Sequence, residues 1–318
     1  MTIAKRPVGD SGLEVAPLAL GGNVFDWTAD EATSFEVLDA FVDAGGTMID
    51  TADVYSAWVP GHQGGESEAV IGRWLKRSGK RDRVVIATKV GMISGLSPAT
   101  VDAACDASLK RLGIDAIDLY YQHKDDESVP LADSLGAFDR LAKVGKIRAI
   151  GLSNFSAERV DEAMAVAAGE GLMRPSALQP WYNMVEREKF EGPLRDAAGR
   201  HGLAVFPYYS LANGFLTGKY RSREDLNKSP RGLRNIGYLE GRGMQVLKAL
   251  DEVAAETGAA LATVTLAWLK AQPTIAAPIA SATGRAQLDQ LTAALSLDLS
   301  ADQIERLDRA SAAEPVES

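Results

Sequence analysis

Short apolar runs alternate with longer amphipathic segments along almost the whole chain. The apolar runs end in polar or aromatic side chains, and the amphipathic segments repeat apolar residues at intervals of three and four, as helices with one buried face do. The predicted strands cover residues 18–23, 47–50, 84–89, 117–123, 150–154, 177–179, 205–208 and 274–280. Regular alternation of strands and helices predicts a parallel sheet with helices outside it.

Local signals mark where the helices between these strands start and stop. Ser97-Pro98 and Ser156-Ala157 are typical of helix starts, and Gly79 and Gly113 are typical of helix ends. The predicted helices cover residues 30–44, 66–76, 98–112, 131–144, 157–167, 188–201, 243–256, 261–271, 284–295 and 301–309. Turn residues between two short alternating runs predict a β-hairpin at 6–15. Residues 312–318 are predicted to be a loose tail.

Eight such strands in 318 residues predict an α/β fold, a (β/α)8 TIM barrel formed by residues 1–318 as one domain. The N-terminal hairpin would cap the bottom of the barrel. Residues 211–242, after the seventh strand, form a loop too long for an ordinary connection, so we expect a lid or clamp there. A Gly-rich segment after the second strand, residues 56–65, is a candidate substrate loop.

Four side chains with useful chemistry follow the second, third and fourth strands. Asp50 ends one strand, and Tyr55 follows it closely. Lys89 ends the next strand, and His123, one of three histidines, ends the one after. The intervals from position 55 to 89 and from 89 to 123 are both 34 residues. Because barrel sites form at the C-terminal ends of strands, this spacing predicts one ring of side chains around one pocket.

Together these four groups could protonate an oxygen that gains negative charge. A phenol has an ordinary pKa near ~10, and we expect the Lys89 ammonium to lower that of Tyr55. Asp50 would keep Lys89 charged, and His123 could donate a hydrogen bond to a carbonyl oxygen. Carbonyl reduction needs such an acid, but none of these side chains is a hydride donor. A nicotinamide cofactor would therefore have to supply the hydride.

Each of the four residues also has a purely structural explanation. Asp50 and Lys89 could be a salt bridge of the barrel, Tyr55 a half-buried aromatic residue, and His123 a core histidine with satisfied hydrogen bonds. That explanation is reasonable for any one of them taken alone. Four such residues at matching strand ends favour a functional site.

Composition restricts the kinds of partner. With 46% hydrophobic residues the chain can bury a large core, and its net charge of -9 argues against nucleic acid or an anionic membrane. One cysteine, Cys105, allows no intramolecular disulfide, and His62 and His201 show no metal-ligand spacing with each other or with it. The N-terminus lacks the apolar core of a signal peptide. We expect a cytoplasmic protein, a monomer or weak homo-oligomer, with a small-molecule substrate and no metal.

Several motifs repeat the pattern of a known family. They are the stretch 46–55, Ala87-Thr88-Lys89, Ile117-Asp118-Leu119-Tyr120 with His123, Ile150-Gly151-Leu152-Ser153-Asn154-Phe155, and Phe215-Leu216-Thr217-Gly218-Lys219-Tyr220. In this order, over nearly the whole chain, they resemble the aldo-keto reductase superfamily, and most closely bacterial members of the branch that contains potassium-channel β subunits. The resemblance implies a (β/α)8 barrel and NADPH-dependent carbonyl reduction. It makes Tyr55 the proton donor, Lys89 and Asp50 its activating pair, and His123 the residue that orients the substrate.

The resemblance also implies where NADP(H) binds. Ser153, Asn154 and Gln179 would hold the nicotinamide carboxamide, and Tyr208 or Tyr209 would stack on the ring. The full set of implied cofactor contacts is Gly21, Gly22, Asn23, Asp50, Ser153, Asn154, Gln179, Tyr208, Tyr209, Ser210, Leu211, Gly214, Lys219, Arg231, Ser281, Thr283, Arg285, Gln287 and Gln290. The adenosine end falls at the predicted helix start 281–285, where free N–H groups favour an anion. Thr283 could instead be only a helix cap. Arg285 favours the anion, because a cation in the first turn otherwise opposes the helix dipole. The resemblance implies that this region holds the 2′-phosphate, so NADP is favoured over NAD.

Loop aromatics supply the candidate substrate contacts. Trp27, Trp58, His62 and Trp181 would form the pocket walls, and an aromatic pocket accepts many carbonyl compounds. Trp58 and Trp181 could instead pack beneath the lid. Two other functions stay open at this point: a cofactor-binding regulatory or sensor subunit with little turnover, and a barrel lyase or isomerase without nicotinamide. The intact set of four favours a reductase, and the carboxamide-binding positions make the lyase or isomerase the weakest of the three.

Overall fold

The structure, a computed structural model, describes residues 3–312. It contains ten strands: β1 (Arg6–Pro7), β2 (Glu14–Val15), β3 (Ala19–Gly21), β4 (Met48–Asp50), β5 (Val85–Val90), β6 (Ile117–Gln122), β7 (Ile147–Ser153), β8 (Pro175–Gln179), β9 (Ala204–Val205) and β10 (Ile279–Ala280). The ten α-helices are α1 (Glu31–Asp43), α2 (Glu66–Ser78), α3 (Pro98–Leu112), α4 (Leu131–Lys143), α5 (Ala157–Glu170), α6 (Pro193–His201), α7 (Arg242–Thr257), α8 (Leu261–Ala271), α9 (Arg285–Thr292) and α10 (Ala301–Ser311). The predicted tail lies almost entirely outside the described residues.

Eight of the strands form one parallel sheet in the order β10-β3-β4-β5-β6-β7-β8-β9. The two ends of this sheet meet through backbone hydrogen bonds around Val205, whose N–H donates to Thr274 O at 3.1 Å and whose carbonyl accepts from Ala276 N at 2.8 Å. The sheet therefore closes, with helices outside it. The predicted (β/α)8 barrel is confirmed.

The hairpin β1–β2 covers the end of the barrel where the strands begin. Val8 and Val15 are fully buried in one cluster with residues from the first half of the barrel strands, such as Ala19, Met48 and Ala177. The backbone also attaches there, because Ala16 N donates to Thr47 Oγ1 at 2.8 Å. The hairpin closes the bottom and leaves the other end for a site.

Helix α3 shows why local signals predicted some boundaries well. Ser97 caps its N-terminus by accepting a hydrogen bond from Thr100 N, Pro98 occupies the first turn, and Gly113 ends it in the left-handed conformation. The predicted range 98–112 is the observed one, and the same is true of α8. Both helices belong to the large apolar core that joins the outer faces of the strands to the helices.

Other boundaries differ from the prediction. The sixth helix starts at Pro193 and not at residue 188. Gly192, with a φ of 91°, separates this helix from a short 3₁₀ turn at Arg187–Lys189. The seventh and eighth barrel strands are only two residues long, so Tyr208 lies beyond its strand and 274–278 is not strand. The long loop holds three 3₁₀ segments: Ala212–Thr217, Arg223–Lys228 and Gly232–Tyr238. These are short-range helical turns, whose side-chain periodicity is too brief to detect in a sequence.

Within residues 3–312, the structure has no helix of the length and apolar character needed to cross a membrane. The same residues contain no group of three or more His, Cys, Asp or Glu side chains placed to hold a metal ion.

Candidate active site

The four predicted residues come together at the C-terminal ends of neighbouring strands. Asp50 is the last residue of β4, and Lys89 lies near the end of β5, the adjacent strand. Lys89 Nζ donates to Asp50 Oδ2 at 2.6 Å and to Tyr55 Oη at 3.2 Å. The Tyr55 and His123 rings meet edge to face with centroids 6.1 Å apart. The structure therefore places a phenol, an ammonium, a carboxylate and an imidazole around one space.

The Asp50–Lys89 pair is buried and held by several further bonds. Both side chains are almost completely shielded from solvent. Lys89 Nζ also donates to Thr51 O at 2.7 Å, and Gln179 Nε2 donates to Asp50 Oδ1 at 2.9 Å. A buried ion pair needs such additional partners to offset desolvation, and here every partner comes from a strand end or the turn after it. The pair is therefore rigidly oriented toward Tyr55.

The pKa of Tyr55 shifts in the opposite direction to the prediction. Burial raises the pKa of this phenol well above its ordinary value, and the Asp50 carboxylate raises it further. The prediction from sequence considered Lys89 and underestimated how strongly burial disfavours a tyrosinate. At neutral pH Tyr55 is therefore a protonated phenol, with the Lys89 ammonium directly at its oxygen.

The other two groups also respond to burial. Burial lowers the pKa of Lys89, while Asp50 opposes that shift, so the carboxylate favours the charged amine as predicted. Burial and the nearby Lys89 charge lower the pKa of His123 well below its ordinary value. His123 is therefore a neutral imidazole at neutral pH, and its Nδ1 is buried without a hydrogen-bond partner among residues 3–312. A neutral ring can still donate one hydrogen bond.

Amide and hydroxyl side chains line the neighbouring strand ends. Ser153 Oγ donates to Gln179 O at 2.9 Å, and Asn154 Nδ2 donates to Ser153 Oγ at 3.1 Å and to His123 O at 2.8 Å. Tyr208 Oη donates to Asn154 Oδ1 at 2.6 Å. Asn154 has a φ of 57°, a left-handed conformation that asparagine tolerates better than most residues. These bonds fix a polar row beside the four residues above.

Aromatic rings form two walls. Trp27 and Trp58 meet with centroids 5.5 Å apart, and Trp58 lies 6.1 Å from the Tyr55 ring. On the other side, Trp181 lies 4.6 Å from the Tyr209 ring and 6.0 Å from the Tyr208 ring. Of the four candidate substrate contacts, three are therefore in these walls.

His62 and the indole of Trp181 have partners outside the centre of the pocket. His62 Nε2 lies 3.9 Å from Asp26 Oδ2 on the loop after β3. The Trp181 indole N–H donates to Glu186 Oε2 at 2.5 Å, which fixes the orientation of its ring. The structure thus joins His62 to the Trp27 side of the pocket rather than to the four central residues.

The long loop 211–242 carries two cations that lie beside aromatic rings. Arg231 stacks over Trp27, with its Cζ 4.9 Å from the ring centroid, and Lys219 Nζ lies 5.0 Å from the Tyr220 ring and next to Gly214. Neither cation forms a salt bridge with a carboxylate of residues 3–312. Ser210 Oγ donates to Pro207 O at 3.0 Å and ties the start of the lid to the strand end. The half-buried Leu211 follows it.

The first and last barrel strands meet at a cradle that has room only for glycine. A Cβ on Gly21 would stand 2.6 Å from Ser281 Oγ, and one on Gly22 would stand 2.8 Å from Ser67 Oγ. Ser281 Oγ donates to Asn23 Oδ1 at 2.7 Å across this junction. The absence of a side chain at both glycines therefore lets neighbouring serine side chains approach the backbone closely.

At the start of α9, two details differ from the sequence argument. Thr283 does not cap the helix; its N–H and hydroxyl both donate to Gln287 Oε1, at 3.0 and 3.2 Å. Arg285 Nε donates to Asp289 Oδ1 at 2.7 Å, so its charge already has a partner within the helix and does not by itself indicate an anion. Gln290, one turn further, lies on the exposed side of α9.

The residues present fit a nicotinamide dinucleotide. The fit rests on two cations of the long loop 211–242, Arg231 and Lys219, that have no carboxylate partner in residues 3–312, and on the buried Asn213 Oδ1, which has no hydrogen-bond partner among those residues. Anionic phosphates need cations and N–H groups, and the polar row offers amides to a carboxamide.

Sequence reasoning missed a buried polar cluster behind the site. Glu68 is fully buried and accepts from Thr88 Oγ1 at 2.6 Å and from Arg111 Nε at 2.6 Å. In the sequence Glu68 stands in the first turn of a helix, where acidic residues are common and usually exposed, so no pattern indicated its burial. Asp53 lies in the same region.

Comparison with known proteins agrees with this geometry. A family model described as "Aldo/keto reductase family" matches residues 17–312. The chain is 32% identical over 313 residues to "Uncharacterized oxidoreductase YrpG" of Bacillus subtilis, covering 95% of this chain and 94% of that protein. It is 30% identical over 318 residues to "Aldo-keto reductase yakc [NADP(+)]" of Schizosaccharomyces pombe, covering 94% of this chain and 89% of that protein.

A third relative has a different printed role. The chain is 30% identical over 298 residues to "Probable voltage-gated potassium channel subunit beta" of Arabidopsis thaliana, covering 90% of this chain and 89% of that protein. The barrel, the four residues at its strand ends and a family match over almost all described residues lead to one conclusion. The chain belongs to the aldo/keto reductase family of oxidoreductases.

Proposed function

We propose that this protein reduces an aldehyde or ketone to the alcohol, with NADPH as the hydride source and Tyr55 as the proton donor. The observation that carries the proposal is the position of Lys89 Nζ, which bonds both to the buried Asp50 carboxylate at 2.6 Å and to the Tyr55 hydroxyl at 3.2 Å. A protonated phenol that faces an aromatic pocket can act as an acid. The ammonium at its oxygen stabilises the negative charge that forms there when the proton leaves.

Each of the four residues has a specific task in this proposal. Tyr55 stays protonated at neutral pH and donates its proton to the carbonyl oxygen as negative charge develops there. Lys89 stabilises the tyrosinate as it forms, and Asp50, oriented by Gln179, keeps the ammonium charged. His123, as a neutral imidazole, donates a hydrogen bond that orients the carbonyl oxygen.

The polar row and the lid would hold the cofactor, which supplies the hydride when bound. Ser153, Asn154 and Gln179 would face the carboxamide, and their mutual bonds hold these side chains in fixed orientations. Tyr208 is restrained by its bond to Asn154, which favours it over Tyr209 as the ring that stacks on nicotinamide. Lys219 and Arg231 would meet the phosphates, and Asn23, Ser281, Thr283, Gln287 and Gln290 the adenosine end.

The preference for NADP over NAD rests on the 2′-phosphate contact that the family resemblance implies for Arg285, and on one relative whose printed name contains NADP(+). Because Asp289 already pairs with Arg285, a 2′-phosphate would have to share or displace that carboxylate. We expect Arg285→Ala to weaken NADPH binding by about tenfold and NADH binding little, since NADH lacks the phosphate. Fluorescence titration with each cofactor measures both constants.

A matched control for this variant exists on a remote helix. Arg309 forms the same i,i+4 pair with Glu305 on α10, so Arg309→Ala removes an equivalent exposed ion pair far from the pocket. It should bind both cofactors like the unaltered protein. Equal weakening of NADPH and NADH by Arg285→Ala would show that Arg285 does not contact the 2′-phosphate.

A second candidate is a cofactor-binding regulatory subunit with little turnover. It is favoured by the likeness to a protein named as a probable channel β subunit. The Tyr55, Lys89 and Asp50 bonds favour turnover, because a subunit that only binds the cofactor needs no acid. Fluorescence titration with NADPH, followed by absorbance decay with a panel of aldehydes and ketones, separates the two.

Each outcome of that experiment leads to a different conclusion. Tight NADPH binding with turnover of some carbonyl compound supports the reductase. Tight binding with no turnover on any of them supports the regulatory subunit, and no binding of either nucleotide overturns the cofactor assignment. The organisation as one domain, the cytoplasmic location and the monomeric or weakly oligomeric state stay predictions from the sequence.

A further inference from the structure

Next to the strand that carries the catalytic Lys89 lies a half-buried aspartate whose carboxyl forms no salt bridge with a cation of residues 3–312. Lys89 pairs with Asp50, and Arg111 pairs with Glu68 at 2.6 Å. The remaining carboxyl is that of Asp53, in the turn after β4. Its backbone N–H donates to Lys89 O at 3.1 Å, which places this residue against the strand that carries the lysine. Its Oδ1 is buried and accepts no hydrogen bond from residues 3–312.

The numbers of cations and carboxyls around Lys89 are unequal. The cluster contains two cations, Lys89 and Arg111, and three carboxyls, those of Asp50, Glu68 and Asp53. With Asp53 protonated the cluster is neutral, and with Asp53 ionised it carries one uncompensated negative charge. Charges shielded from water are normally paired, and because Oδ1 of Asp53 is shielded and unpartnered among residues 3–312, burial favours the protonated form of this carboxyl.

The surroundings of Asp53 act in opposing directions. Burial and then Glu68 on α2 raise its pKa, Arg111 on α3 and Lys89 on β5 oppose the rise, and together they leave it at about 6. Asp50 on β4 faces the same lysine from the other side. The phenol of Tyr120 on β6, whose hydroxyl is also buried without a partner in residues 3–312, completes the polar surroundings. Asp53 therefore titrates close to physiological pH.

We propose that Asp53 is a positioning residue for the reduction, which by losing its proton adds a negative charge beside Lys89 and weakens Tyr55 as an acid. This inference rests on the proposed reductase function. In this proposal Asp53 does not contact the substrate, because its charge acts on Tyr55 through Lys89. Proton transfer from Tyr55 creates a tyrosinate, and an additional negative charge nearby disfavours it.

We expect reduction to slow as pH rises. Below about pH 6 Asp53 holds its proton, the cluster is neutral and reduction is fastest. As pH rises through that value, the uncompensated charge appears and kcat falls. One additional charge that acts across an intermediate effective dielectric, without direct contact, changes a rate by about threefold.

The test compares pH profiles of kcat for carbonyl reduction in four proteins. Asp53→Asn keeps the shape but cannot ionise, so its kcat should stay at the low-pH level and exceed that of the unaltered protein by about threefold near pH 7.5. Asp53→Glu should restore the inflection. Asp302→Asn removes an exposed carboxyl on the remote helix α10 and should leave the profile unchanged.

Thermal unfolding supplies a readout that does not depend on activity. A carboxyl whose folded pKa is raised stabilises the folded state at low pH, and that contribution is lost as pH rises through the folded pKa. The melting temperature of Asp53→Asn relative to the unaltered protein should therefore be higher near pH 7.5 than near pH 5. A purely structural role would change it equally at both values.

The possible failures are distinguishable. An unaltered protein that binds NADPH but reduces no carbonyl compound overturns the proposed function, and the thermal comparison still measures the titration of Asp53. A working reductase whose profile is the same in Asp53→Asn overturns the inference alone. If Asp53→Asn does not fold, a pH profile of Asp53→Glu with no inflection near pH 6 overturns the inference in its place.

Discussion

Replacing Tyr55 by phenylalanine should reduce kcat for carbonyl reduction by about 10²–10⁴-fold while NADPH still binds. The change removes only the hydroxyl that lies 3.2 Å from Lys89 Nζ and leaves the ring in its place against Trp58. General acid catalysis by a positioned side chain contributes a factor of this size. Stopped-flow or steady-state absorbance of NADPH measures the rate, and fluorescence titration measures binding.

A second tyrosine provides the matched control. Tyr182 is buried, and its hydroxyl donates to Glu191 Oε1 at 2.6 Å, outside the pocket. Tyr182→Phe therefore loses a buried hydroxyl hydrogen bond of similar kind and should keep its reductase activity. If Tyr55→Phe reduced the same carbonyl compounds at the rate of the unaltered protein, Tyr55 would not be the proton donor.

Replacing Lys89 by methionine should both abolish most of the activity and destabilise the fold. Lys89 is fully buried, and its removal leaves the Asp50 carboxylate buried with Gln179 as its remaining side-chain partner. Leaving one member of a buried ion pair without its partner typically costs about 3–5 kcal/mol. Activity falls because the tyrosinate loses the ammonium that stabilises it. Urea unfolding and NADPH absorbance measure the two effects.

The double variant Asp50→Asn/Lys89→Met separates stability from catalysis. With both charges of this pair absent, position 50 no longer holds a buried carboxylate without its partner, so the free energy of unfolding should recover a large part of the loss. Reduction should stay as low as in the single variant, since the ammonium is still missing. A single Lys89→Met variant as stable as the unaltered protein would contradict the buried-pair interpretation.

Helices with several independent signals were predicted with accurate boundaries. In α3 a serine cap, a proline in the first turn and a glycine after the last turn agree, and the range 98–112 is the observed one. The last two strands of the barrel were predicted too long. Their hydrogen bonds depend on how the barrel closes around Val205, and such long-range contacts leave no local signal in a sequence.

The site was predicted in position but not in its electrostatics. Parallel strands bring their C-terminal ends to one edge, so polar strand ends spaced 34 residues apart indicated which side chains meet. The pKa of Tyr55 was predicted to fall and instead rises, because burial by the completed pocket outweighs Lys89. Arg285 was predicted to need an external anion, yet Asp289, one turn along the same helix, already pairs with it.

By itself, the sequence determined the barrel, the order of its strands and the side chains at their ends. Those features depend on periodicity and on the regular geometry of parallel strands, which act over short stretches of chain. The packing of the whole chain determines which groups are shielded from water, that Glu68 is buried beside Arg111, and that Asp53 forms no salt bridge with a cation of residues 3–312. Burial and charge pairing depend on residues distant in sequence, because desolvation is a property of the whole packed environment.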